Sequence, residues 1–115
     1  MDAVSNTNQQ GMDCHGHGTH VAALAAGKTY GVTKGATVYS MRVLSCSGSG
    51  SFVNVLLGIN HVIGRQIANR DRRIIISMSL RGPFSQAVDD AIRDATNEGI
   101  LVVVAAGNDF TDACG

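Results

Sequence analysis

This chain of 115 residues lacks a charge bias, a long apolar run and an even number of cysteines, and each absence excludes something. Nine Lys and Arg are balanced by nine Asp and Glu, so no one-signed field is available to hold a polyanion. Neither nucleic acid nor a membrane surface is expected as a partner. The longest strongly apolar stretch, 99–107, is far shorter than a bilayer span, and the N-terminus has no basic region followed by an apolar one. Neither a transmembrane helix nor a signal peptide is therefore expected. Cys14, Cys46 and Cys114 cannot all pair with one another, which predicts a partner for one of them elsewhere and hence a piece of a longer chain.

What is present reads as one globular domain, with 44% hydrophobic and 16% charged residues. Residues 1–12 are polar and turn-rich and predict a surface loop. Small and apolar residues from His17 to Ala26 predict a short buried helix, with Gly27 as a left-handed C-cap. Residues 37–44 are β-branched and aromatic and predict a strand that runs into a flexible Gly/Ser loop at 47–51. Phe52, Leu56, Ile59, Ile63 and Ile67 recur at three- and four-residue spacing behind Ser51, which predicts an N-capped amphipathic helix ending before the charged run 70–73. That run is read as a solvated helix end. A second strand follows at 73–80, then a helix opened by Ser85 and closed by Gly99, then a third strand at 100–106.

Apolar strands alternating with helices predict the α/β class: three layers, α/β/α, around a parallel sheet with right-handed crossovers. Ligands of such sheets gather at the carboxyl ends of the strands. Here the loops at 45–51, 81–85 and 107–111 leave those ends.

The run Asp13-Cys14-His15-Gly16-His17-Gly18-Thr19-His20 concentrates titratable groups just before a helix. Cys14, His15, His17 and His20 offer thiolate and imidazole donors, but their spacing fits known zinc arrangements poorly. Alternatively, one imidazole at the helix start serves as a general base, since its pKa lies near neutrality. A third reading leaves these histidines exposed and idle in a Gly-rich turn.

The segment 16–22, Gly-His-Gly-Thr-His-Val-Ala, resembles the histidine motif of the subtilases, the peptidase S8 family of serine proteases. Ala105-Ala106-Gly107-Asn108 resembles their oxyanion-hole motif, Met78-Ser79-Leu80 the strand lining the substrate cleft, and Ser47-Gly48-Ser49-Gly50 the facing cleft segment. Further runs, among them Arg42-Val43-Leu44 with Cys46, are similar to the proteinase K and aqualysin-like branch.

The resemblance implies a partial subtilisin-like fold, with 1–115 as a partial catalytic domain. It implies a Ser-His-Asp triad in which His17 is the base and Asn108 donates its side-chain amide to the oxyanion. Gly48, Ser49, Gly50, Ser79, Leu80, Arg81, Gly82, Ala106 and Gly107 would line the peptide, and Cys14 and Cys46 would form a disulfide. The aspartate and serine are expected before and after these residues, in the family's chain order. Asp2 and Asp13 are read as loop residues and His20 as a packing residue. No metal or other cofactor is expected from this segment, calcium being left to the longer protein.

A secreted endopeptidase acting on polypeptides is thus expected, with an inhibitory prodomain as a further partner. The alternative is a catalytically inactive subtilase-like binding protein. One departure bears on the cleft: Arg81 stands where the family usually has glycine, so it either projects outward and leaves main-chain pairing intact, or narrows the cleft and shifts specificity toward acidic residues.

Overall fold

A computed structural model describes residues 1–4 and 11–112. The chain divides into two compact units, Met1–Gly58 and Ile59–Gly115. The elements are α1 (His17–Ala26), α2 (Phe52–Ala68), β1 (Ile75–Met78), α3 (Gln86–Asn97) and β2 (Leu101–Val104). The helices and the parallel pair of strands agree with the α/β class, and β1 and β2 are shorter than the strands predicted at 73–80 and 100–106. No helix among the described residues is long and apolar enough to cross a membrane.

In the first unit, α1 forms from Ala and Leu, which favour helix, but none of its residues is buried. The expectation of a buried helix is therefore corrected: apolar composition permits burial, yet Val21, Ala22 and Ala26 are only half-buried and the other residues of this helix are exposed among the described residues. Gly27 caps α1 in extended backbone, φ −64° and ψ 146°, and donates its N–H to Ala23. The expected left-handed cap is thus absent.

The strand expected at 37–44 does not form either. A strand needs a neighbour for its backbone groups, and the main-chain pairing described here is with residues 1–3. Arg42 makes an isolated parallel bridge to Asp2. Ala3 N–H donates to Arg42 at 2.9 Å, and Arg42 N–H donates to Met1 at 3.1 Å. Ala3 is accordingly buried, which corrects the surface-loop reading of 1–12 at that residue, while Met1 and Met12 are exposed and residues 5–10 lie outside the described residues.

Arg42 itself is buried and ion-paired with Asp2 at 3.2 Å. Removing a guanidinium from water is tolerable when its donors are met. Arg42 meets this condition with Asp2 and with the Leu44 carbonyl, to which Nε donates at 3.2 Å.

In the second unit, β1 and β2 pair in parallel, with Ile75 opposite Leu101 and Met78 opposite Val104. The helix between them, α3, packs against β2. It begins where predicted, because the Ser85 hydroxyl accepts from Val88 N–H. Its apolar stripe buries Ala91 and Ala95, and Ile100 beyond it is buried too. The Ser51 hydroxyl likewise accepts from Asn54 N–H at the start of α2.

The sheet was expected to be covered on both faces. Ile75, Leu101, Val103 and Val104 instead remain exposed among the described residues. Arg70, Arg72 and Arg73 also face solvent, as read.

Candidate functional site

His17 is the first residue of α1, and Gly16 before it turns the chain with φ 99°. That left-handed backbone disfavours a side chain and brings the imidazole to an exposed helix start. Gly16 has no side chain to cap the helix, so another group must satisfy its first N–H donors.

Asp13 does so. Its Oδ1 accepts from Gly16 N–H at 2.8 Å and His15 N–H at 3.0 Å. Its Oδ2 accepts from Thr19 N–H at 2.8 Å and the Thr19 hydroxyl at 2.7 Å. The Gly16 N–H above all, with the Thr19 hydroxyl and N–H and then the His15 N–H, holds this carboxyl well below the ordinary carboxylate range. An ionised Asp13 thus clamps both ends of the loop that carries His17. With both oxygens committed, it is no partner for an imidazole N–H, which supports leaving it out of the triad. Its anchoring role was missed in the sequence, where an acid just upstream of a helix was the available signal.

The loop is tied down a second time. Cys14 and Cys46 form a disulfide, with Cα atoms 4.9 Å apart. Arg42 Nη2 lies against both sulfurs, at 3.3 Å from Cys14 and 3.6 Å from Cys46. The disulfide consumes the thiolate that the metal reading required. Among the described residues, no three His, Cys, Asp or Glu side chains converge on a possible metal position.

The segment containing Gly48, Ser49 and Gly50 is a closed turn rather than a flexible loop. Ser45 N–H donates to the Ser49 carbonyl at 2.7 Å, and Gly48 N–H to that of Ser45 at 3.0 Å. The hydroxyls of Ser45, Ser47 and Ser49 hydrogen-bond among themselves. His15 packs on this turn so closely that a methyl on Gly48 would meet its Nε2 at 2.6 Å. His15 Nδ1 also accepts a long contact from His17 N–H, at 3.4 Å. His20 is exposed, so the packing role expected for it is corrected.

In the second unit, the register delivers two other segments side by side. Ala105 N–H donates to the Met78 carbonyl at 3.2 Å, just where both strands end. From there Ser79, Leu80, Arg81 and Gly82 leave β1, while Ala106, Gly107 and Asn108 leave β2. Gly107 turns with φ 99°, a left-handed conformation that favours glycine, and Asn108 follows it exposed. Residues 106–111 line a hollow at this carboxyl end, the position at which parallel sheets bind ligands.

Arg81 pairs with an acid of the neighbouring strand-end loop. Its side chain is 67% exposed and its Nη2 lies 3.0 Å from Asp109 Oδ1. Asp109 was not singled out in the sequence, because nothing local links it to Arg81. Cys114 lies outside the described residues.

The model of the subtilase family matches residues 2–114. The chain is 51% identical over 102 residues to the extracellular serine proteinase of Thermus sp. (strain Rt41A), covering 89% of this chain and 24% of that protein. It is 43% identical over 113 residues to alkaline serine exoprotease A of Vibrio alginolyticus, covering 98% of this chain and 20% of that protein. A crystal structure of a cold-adapted subtilisin-like serine proteinase superposes with a TM-score of 0.87 and 42% identity, over 98% of this chain and 40% of that one. The chain thus spans about a quarter or less of these two curated relatives, 24% and 20%.

Proposed function

The chain belongs to the subtilase family, and from that premise we propose that it is the histidine- and oxyanion-bearing part of a serine endopeptidase. His17 takes the proton from a serine hydroxyl and returns it to the leaving amine. Asn108 donates its side-chain N–H to the oxyanion that forms on the scissile carbonyl. The serine and the aspartate come from residues outside 1–115. Gly48, Ser49, Gly50, Ser79, Leu80, Arg81, Gly82, Ala106 and Gly107 are the residues proposed to receive the peptide.

The observation that carries this reading is the mounting of His17. An exposed imidazole sits at a helix start whose loop is clamped by Asp13 and by the Cys14–Cys46 disulfide. General-base catalysis needs such a fixed yet accessible group. Asn108, presented beyond a left-handed glycine at a strand end, is the matching donor.

Polypeptides are the substrates of this family, and an inhibitory prodomain is proposed as a second partner. Secretion is proposed as well, supported by a relative named as extracellular and by the disulfide, which an oxidising compartment favours. No cofactor is assigned to this segment.

The test is hydrolysis of a chromogenic peptide by the full-length protein. His17→Ala is expected to lower kcat by about 10⁶-fold, the scale on which loss of the triad histidine acts in subtilisins. Asn108→Ala is expected to lower kcat by about 10²–10³-fold, a range also set by subtilisins, with KM little changed. A His17→Ala protein that keeps a tenth of the parent's activity would overturn the assignment.

A further inference from the structure

The Arg81–Asp109 pair joins two loops that leave adjacent strand ends. Arg81 lies three residues beyond β1 and Asp109 directly follows Asn108, while Met78 and Val104, the last residues of the strands, are register partners. The contact is one nitrogen on one oxygen at 3.0 Å, between side chains 67% and 53% exposed. A guanidinium is capable of a two-pronged grip on a carboxylate, and this contact leaves that capacity unused. A pair this exposed adds little to stability. Both charges are therefore available to a third one arriving at the strand ends.

Resting on the proteolytic reading, we propose that Arg81 selects substrates with an acidic side chain beside residues 79–82, and that Asp109 is its resting counter-ion. An incoming Asp or Glu displaces the Asp109 carboxylate from the guanidinium. A neutral side chain leaves the pair closed and gains nothing from it. The two members of one ion pair thus act in opposite senses: Arg81 attracts the acidic substrate, while Asp109 competes with it for the same donor and repels it.

The test uses the full-length protein and peptides that carry Glu or Gln at one position at a time within the four residues before the scissile bond. The readout is the Glu/Gln ratio of kcat/KM at the most responsive position. The parent protein is expected to favour Glu by about 2–5-fold, the range of an exposed ion pair. Asp109→Asn raises this ratio, Arg81→Gly brings it to about 1 or below because the Asp109 carboxylate remains, and roughly 1 M salt collapses it in the parent. A purely structural role for the pair would move both variants in the same direction. That result, or a ratio indifferent to Arg81→Gly, overturns the proposal.

Binding of the same peptides, fluorescently labelled, to full-length proteins that also carry His17→Ala reads the same order without catalysis. If that order holds while no protein hydrolyses peptide, the proteolytic reading fails and the selectivity stands. Strong hydrolysis with no such order overturns the selectivity and leaves the proteolytic reading in place.

Discussion

Asp13 shows how one side chain sets the geometry of its neighbours. Its two oxygens take four hydrogen bonds from His15, Gly16 and Thr19, on both sides of His17. Asp13→Ala in the full-length protein is expected to lower kcat/KM by about ten- to a hundredfold although His17 remains, since small misplacements of a catalytic group have that cost. Steady-state kinetics check it, and Asp13→Asn, which keeps one acceptor oxygen, should fall between. The sign of the pH effect follows from the lowered pKa. Asp13 binds its proton less readily when folded, so its contribution is fully present above the unfolded pKa, near 3.8, and is lost only as pH falls below that. Acid titration should therefore leave the loop intact through pH 5, and a loosening centred above pH 5 would point to another group. None of this was legible in the sequence beyond an acid near a helix start, because the acceptors' directions depend on the turn that Gly16 makes.

At the scale of elements, the helices were more legible than the strands. A helix carries its own hydrogen bonds, so the periodicity of α2 and α3 and their caps, Ser51 and Ser85, could be read locally. Ser85→Ala is expected to cost about 1 kcal/mol, measured as a lower denaturant midpoint at unchanged slope. A strand depends on what lies beside it. Residues 73–80 and 100–106 found each other and narrowed to the four-residue strands β1 and β2. Residues 37–44 have equal β-character, but Val38 and Tyr39 stay 53% and 66% exposed and only a bridge at Arg42 forms. Local composition marks a segment as fit for a sheet without saying whether a neighbour is there.

For the whole chain, the long-range ties differ between the units. Within Met1–Gly58, the disulfide closes residues 32 apart. Replacing Cys14 and Cys46 by Ser is expected to cost about 3–4 kcal/mol on the chain-entropy account, read from thermal or denaturant unfolding of the full-length protein. Within Ile59–Gly115, the two-stranded sheet leaves Ile75, Leu101, Val103 and Val104 in contact with water. Exposed apolar strands with unpaired edges favour association. Residues 1–115 produced alone should therefore elute as concentration-dependent oligomers or aggregates, whereas a concentration-independent monomer would show that these faces are quieter than their exposure implies.

The sequence by itself determined the α/β class, the helices with the N-caps Ser51 and Ser85, and the two motifs that contain His17 and Asn108, because each of these rests on local pattern. Only the tertiary structure decided that Asp2 meets Arg42, that Arg81 meets Asp109, and that α1 keeps no buried face. Such pairings join residues tens of positions apart. Their geometry is set by the path of the chain between them, for which no local pattern codes.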